Sequence, residues 1–596
     1  MNSSIFKQIF RCNWIFALLG LLVVLALNGC NPSQFKTQAA QVSQIVARTG
    51  SDPKTYNAAL IAESPNVGLF ISEGLIYEDK SGKIEPALAE KWEVSEDKLK
   101  IVVTLKEGLK WSDGHPLTVD DVVFSYNDVY LNPKIPTNFQ DGFRIGVKGL
   151  FPKVRKLDDR RVEFITPEPF APFLRSTGSA ILPKHKLEES VKTLDSSGKP
   201  KFLSTWGMGT NPKEIVTNGP YVIESYTPSE RVVFRRNPYY WRKDEKGNQL
   251  PYTERVVWQI VDSSDTAVIQ FRSGGLDAIA SGPATFALLK REEKRGNFTI
   301  YNGGPDTSST FISFNLNTGK RNGKPLVDPI KSRWFNTVAF RQAVAYAVDR
   351  KTMITNTLQG IGQLQNTEMP VQSPFHLSPK DGLKVYEYNP QKAKQLLLGA
   401  GFKYNAKNQL LDADGNRVRF TMLSQTGSRI FEAFGSQIKR DLSKIGIQVD
   451  YQQIDFGTMG NKLSNTFDWD CWLGYMGGGG FEPHAAFNLW AADGSFHFFN
   501  QKPQAGQSPI TDRKVADWES KIGTLYVQGS QELDEKKRKA IYEEAQRISQ
   551  ENLPFIFLVN QLQMAAVRDR IQNVDVSSLF YETVLWNVAH LKVAEK

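Results

Sequence analysis

The sequence predicts an α/β protein built from more than one domain around mixed sheets. Short stretches with apolar residues at every second position recur along the chain. Between them lie longer stretches with apolar residues three and four apart, so strands alternate with helices as in βαβ units. At 596 residues the chain also exceeds what one hydrophobic core holds, roughly 250–300 residues. A composition of 40% hydrophobic and 23% charged residues is ordinary for a soluble globular protein.

At the N-terminus, Lys7 and Arg11 precede an apolar run over residues 14–27, closed by Leu27-Asn28-Gly29-Cys30. The run is shorter than the roughly 20 residues of a transmembrane helix, and its charged start and small-residue close match a cleaved export peptide; an uncleaved membrane anchor is the alternative. Cys12 then leaves with the leader, and Cys471, set among Trp469, Trp472 and Leu473, reads as a buried structural thiol. A polar tether reaches residue 41, a strand over 42–48 opens the folded part, and 51–57 is a loop. Trp92 and Val94, then Ile101, Val103 and Leu105, form a strand pair turning at 95–98. Asp113-Gly114 makes a second turn, and Thr118 caps a helix that begins with Val119, Asp120 and Asp121, acids placed at its positive end.

Residues 122–212, rich in proline and short apolar segments, read as an inserted α/β domain. Asn218-Gly219-Pro220-Tyr221 turns into a strand over 222–226; strands over 232–236 and 256–261 and a helix-like stretch over 265–279 complete that block. Near Phe311 a new domain begins. Phe340, Ala343, Val344, Ala347 and Val348 share one helical face. Asn389-Pro390 starts a second helix that ends at Gly401, and Ile430, Phe434, Ile438 and Leu442 mark a third, stopped by Gly446. A last helix over 535–551 ends ahead of Pro554 and feeds a strand over 555–559.

Chemistry-bearing motifs are sparse. The SxxK spacing occurs at Ser33, Ser51 and Ser436, a chance pattern, and no GxSxG elbow is present. Glu482, His484 and His497 lack an HExxH or a cysteine pair around them, and the Asp412, Asp414, Gly415 run lacks a calcium loop's closing acid because residue 423 is Leu; that run reads as a hairpin turn. The run 477–480 lacks the GK[ST] of a phosphate loop. No catalytic residue, metal or cofactor is therefore expected. The formal charge of +10 is dispersed, with mixed-sign runs at 290–295 and 535–539, so nucleic acid is not an expected partner.

The string over residues 86–124, strand pair, turn and helix start, resembles the signature region of the family 5 extracellular solute-binding proteins, which serve peptide and related ABC importers. The strand pair that begins with Gly219-Pro220-Tyr221 and ends in Asn237-Pro238-Tyr239-Tyr240-Trp241, and the helix FRQAVAYAVDR over 340–350, resemble further family motifs. The resemblance covers nearly the whole mature chain. It implies a type II periplasmic-binding-protein-like fold, two lobes with mixed sheets plus an inserted α/β domain. Lobe I would comprise 42–95, 213–308 and 552–596, the insert 96–212, and lobe II 309–551, with the chain crossing near 308 and 551. Residues 1–29 resemble a lipoprotein signal, which implies cleavage after Gly29, diacylation of Cys30 and a lipid-anchored tether over 30–41. The implied protein is an exported monomer on the periplasmic side of a membrane. It captures a small molecule or short peptide and delivers it to an ABC permease and its ATPase; a sensory binding lipoprotein is the alternative.

Ligand contact is expected in the segment 467–490, FDWDCWLGYMGGGGFEPHAAFNLW. Four successive glycines allow close backbone approach, and aromatics on both sides offer large apolar contact area; a surface loop between core aromatics is the alternative. The expected contacts are Tyr475, Gly477, Gly478, Gly479, Gly480, Phe481, Glu482, His484 and Trp490. In peptide-binding relatives the corresponding segment has a GW followed by an aspartate that anchors the ligand's α-amine, close to a DP pair. Here Tyr475 stands at the Trp position, the anchor region is glycine, and Glu482-Pro483 replaces the DP pair. The ligand thus stays open between a peptide and an oligosaccharide or other solute, with Glu482 as the substitute anchor if it carries an amine.

Overall fold

A computed structural model describes residues 42–60, 67–137, 139–146, 148–477, 480–504, 507–580 and 583–594. The signal region, Cys30 and the tether, together with Gly478 and Gly479, lie outside the described residues.

Lobe I is organised by an eight-stranded mixed sheet. Strand Gln44–Thr49 runs parallel to Arg255–Ile260 and buries every second residue, and Arg255–Ile260 continues antiparallel into Arg231–Arg236 and Tyr221–Thr227. On the other side follow Ala278–Ser281, Val559–Arg568 and Phe298–Pro305, and the eighth strand, Gly362–Leu364, pairs antiparallel with the start of Val559–Arg568 although it falls within the span expected for lobe II. Phe70 stacks on Phe234 with ring centres 4.4 Å apart, and Trp258 meets Phe70 edge-on.

A second, four-stranded antiparallel sheet runs Ala89–Val94, Lys100–Leu105, Arg161–Ile165, Lys153–Lys156. The expected division at 95/96 falls inside its first hairpin, where the Ser95 N–H donates to the Lys100 carbonyl, so the sheet begins at Ala89. Its apolar face, including Val103, Val162 and Phe164, packs into the same core as Ile45, Phe234 and Trp258 of lobe I. Insert and lobe I therefore share one hydrophobic core. Helix Val119–Val123 starts where the sequence suggests, with Thr118 at its N-cap, but the capping bond comes from the acid: the Asp121 carboxylate accepts the Thr118 N–H at 2.8 Å.

Lobe II has its own core around a five-stranded sheet ordered Gln448–Ile454, Arg419–Gln425, Cys471–Met476, Ser309–Phe314, Phe555–Phe557. The first three strands are parallel, and helix Arg429–Ser443, with its buried stripe Phe434, Ile438, Leu442, joins Arg419–Gln425 to Gln448–Ile454. The two arginines of the 340–350 motif are internal braces. Arg341 donates to the Asn552 carbonyl at 2.8 Å, and Arg350 to the Gln365 and Tyr386 carbonyls at 2.7 and 3.0 Å.

The lobes join where Pro305 leads to Ser309 and where Phe557 leads to Val559. The return was expected at 551/552, with 555–559 as one lobe I strand. Instead Phe555–Phe557 stays on the lobe II sheet, with Phe555 against Phe311, and the Leu558 N–H bonds to the Thr310 carbonyl at 2.9 Å; only from Val559 does the chain follow lobe I. Among the described residues no helix is long and apolar enough to cross a membrane.

Candidate ligand-binding site

Strand Cys471–Met476 is central in the lobe II sheet and carries the site. Its first four residues are buried, and Cys471 is a core thiol that burial pushes far above its ordinary pKa. Gly474 is required by packing: a Cβ there would lie 2.5 Å from the Trp472 ring and 2.7 Å from Phe311. The strand then delivers Tyr475 to the surface, 51% exposed and edge-on to Phe431.

Two cavities meet beyond the strand. One, of about 1260 Å³, lies between the lobes: Glu73, Tyr77, Phe143 and Arg175 line one side, Gly480, Phe481 and Asn488 the other. The second, of about 660 Å³, opens in lobe II between the sheet, helix Phe456–Asn461 and the segment 496–498; Tyr475, Met476, Gly477, Phe431 and Trp472 line it, and Glu368 stands in its wall. Gly480, Glu482 and Ala485 border both. The lobe II cavity is mostly apolar, and Phe456 and Phe496 on its rim are 73% and 55% exposed, unusual for large hydrophobic residues.

The predicted contact residues divide. Tyr475, Gly477 and Gly480 line cavity walls. Phe481, though it borders the interlobe space, is buried with its ring on Gly82 of lobe I, whose φ of +76° and absent Cβ both make room; a Cβ there would sit 2.3 Å from the ring. His484 also borders the interlobe space; its ring stacks on Phe487 and meets Phe170 of the insert edge-on at 5.0 Å, and burial holds its imidazole below the ordinary pKa. Trp490 is 1% exposed, packed among Phe499, Tyr526 and Phe555 beneath the cavity, and lines neither space. The aromatic geometry that would let it stack on a ligand is used by the core.

Glu482 differs most from expectation. Its carboxylate is already met by two guanidinium groups, an ion pair from Arg538 of lobe II and one from Arg175 of the insert at 3.5 Å, and it also accepts the His484 N–H. A carboxylate so compensated is a poor anchor for a ligand amine and a good tie between lobes. Arg175 in turn pairs with Glu78 at 2.7 Å, and the Ala171 N–H donates to the Ser530 carbonyl at 2.7 Å, so the insert and lobe II touch along this edge. His497 is far from any cluster with these: it bonds the Leu489 carbonyl and the Glu519 carboxylate inside the core.

Sequence reasoning missed Phe431, Phe456, Phe496 and Glu368. Exposed aromatics carry no local mark that separates them from core aromatics, and these four residues come from separate parts of the chain.

The two-lobed arrangement, with a sheet in each lobe, paired chain crossings and a cleft between, is the type II periplasmic-binding-protein fold. Residues 83–498 match the family model of the bacterial extracellular solute-binding proteins, family 5, and the chain belongs to this family. It is 28% identical over 543 residues, 87% of each chain, to a probable ABC transporter-binding protein of Deinococcus radiodurans. Two solved structures share the fold. The oligopeptide-binding protein AppA of Bacillus subtilis, in complex with a nonapeptide, has a TM-score of 0.64 at 21% identity, covering 93% of this chain and 99% of that one. MelB of Agrobacterium fabrum, in complex with stachyose, has a TM-score of 0.65 at 20% identity, covering 93% and 85%.

Proposed function

We propose that this protein is the substrate-binding component of an ABC importer, taking a peptide or peptide-like solute between its lobes and presenting it to a membrane permease and its ATPase. The carrying observation is the segment after strand Cys471–Met476, which borders both the interlobe space and the lobe II cavity in a chain of family 5. A solute lying along Tyr475, Gly477 and Gly480 touches lobe II and reaches the facing wall of lobe I. Contacts made to both lobes only when they are together shift the population toward closure. The peptide-bound AppA and other peptide-binding relatives support this ligand class. A second reading, an oligosaccharide, is favoured by the exposed rings of Tyr475, Phe456 and Phe496, since sugars stack on such faces, and by the stachyose-bound MelB.

Native mass spectrometry of the protein purified from its host, followed by calorimetric titration with the copurified class, separates the two. Binding of tetrapeptides but not tetrasaccharides is expected; the reverse overturns the peptide reading.

Export and anchoring belong to the same proposal. The charged start, the short apolar run and Cys30 support a lipid-anchored protein on the outer side of a membrane. Cys30→Ser is expected to abolish incorporation of a labelled fatty acid and to release the protein from the membrane fraction. A substituted chain that still takes up label removes the lipoprotein assignment.

A further inference from the structure

The lobe II cavity has one carboxylate whose charge the protein leaves unmet. Glu368 and Glu482 are the two acids in its wall, and no lysine, arginine or histidine lines it among the described residues. Glu482 is held by Arg538 and Arg175. Glu368 has only neutral donors: the Thr367 hydroxyl at 2.9 Å on one oxygen and the Tyr526 hydroxyl at 3.1 Å on the other. Tyr526 is itself buried, fixed among Trp490 and Tyr542, so the carboxyl is positioned by the core, and Glu368 lines the cavity wall. Around it are Met369, Pro370, Met459 and the aromatic rings of the rim.

A carboxylate in an apolar wall loses hydration that two hydroxyl groups restore only in part. Burial accordingly raises its pKa above the ordinary carboxyl value. A cation brought within hydrogen-bond reach restores the missing interaction, and a neutral group of the same shape does not. The rings then supply contact for the rest of the ligand, and their negative faces favour a positive group as well.

We propose that Glu368 is the charge-selecting residue of the lobe II cavity, and that this cavity takes an organic cation, an ammonium or guanidinium group carried on an apolar body. The proposal rests on the reading that this cavity is part of the ligand site, and it moves the cation anchor from the glycine segment to the loop after strand Gly362–Leu364. A basic side chain or the free amine of an apolar peptide meets the description.

The test uses 2-phenylethylammonium and its neutral counterpart 2-phenylethanol, titrated into the purified mature protein by saturation-transfer NMR. The ammonium is expected to bind about 10-fold to 100-fold tighter, the usual worth of a charge-assisted hydrogen bond. Glu368→Gln should bring both probes to about the same affinity, and Glu368→Asp, which keeps the charge on a shorter stem, should retain part of the preference. Should the Gln variant fail to fold, as judged by its melting curve, the Asp variant and the wild-type comparison still decide. Equal binding of the two probes by the wild type, binding of neither, or an undiminished preference in Glu368→Gln overturns the assignment. Tetrapeptides with free and acetylated amines distinguish this failure from failure of the peptide reading. Peptides bound without regard to charge sink Glu368 alone, whereas a preference for the ammonium with no peptide bound sinks the peptide reading alone.

Discussion

Glu482 sits where three parts of the chain, from two bodies of the molecule, come within reach of one carboxylate: its own segment and helix Glu535–Asn552 through Arg538, both of lobe II, and the insert through Arg175. The Arg538 pair lies within lobe II and holds the segment in place; the Arg175 pair exists only while the lobes are together. With all three side chains largely buried, removing one charge leaves the others short of a partner, a cost of roughly 1–3 kcal/mol where a hydrogen bond can re-form. Glu482→Gln is therefore expected to lower the melting temperature by several degrees and to enlarge the radius of gyration, because the closed arrangement loses a tie. Arg175→Met should enlarge the radius while lowering the melting temperature less. A Glu482→Gln protein with both quantities unchanged would remove the interlobe tie. The sequence singled out this acid for its place beside the glycine run, but its partners lie on another helix and in another domain. No local pattern discloses them.

Elements proved more legible than sites, for a physical reason. Strand Gln44–Thr49 and helix Arg429–Ser443 each bury one face, and a buried face imprints period two or 3.6 on the chain itself. The same holds for Thr118 and Asp121 at a helix start and for Gly401 and Gly446, whose positive φ values end their helices. Boundaries between bodies leave no such imprint. FIFLV is apolar throughout because Phe555–Phe557 and Val559 are buried in two different sheets in succession, so nothing in it marks Leu558 as the crossing. Likewise the division at 95/96 fell within a hairpin because the insert has no core of its own to give it an edge. Trp490 and Tyr475 look alike in the segment 467–490, yet one is sealed in the core and the other half exposed; the difference is set by Phe499, Tyr526 and Phe555 beneath, brought there by chain folding.

At the scale of the whole molecule, lobe I with the insert forms one packed body and lobe II another, joined by two short crossings and by strand Gly362–Leu364, and touching along the edge of Phe481, Glu482 and His484. Two stiff bodies on paired crossings move as a hinge. A ligand moves that hinge only by the difference in its affinity for the two arrangements, about 5.5 kcal/mol for a swing from 1:99 to 99:1. Trp472 is placed to report the first step, since its indole stands in the wall of the lobe II cavity, edge-on to Phe311 and Phe498. Trp490 lies below and has no face on either cavity. A saturating ligand should therefore shift the intrinsic emission and shrink the scattering radius together. Trp472→Phe should lose most of the emission change while the radius still shrinks, and Trp490→Phe should keep both, provided its melting curve shows a folded core. An emission change that survives in Trp472→Phe would place the ligand outside the lobe II cavity, and an unchanged radius at saturation would exclude closure as the response to binding.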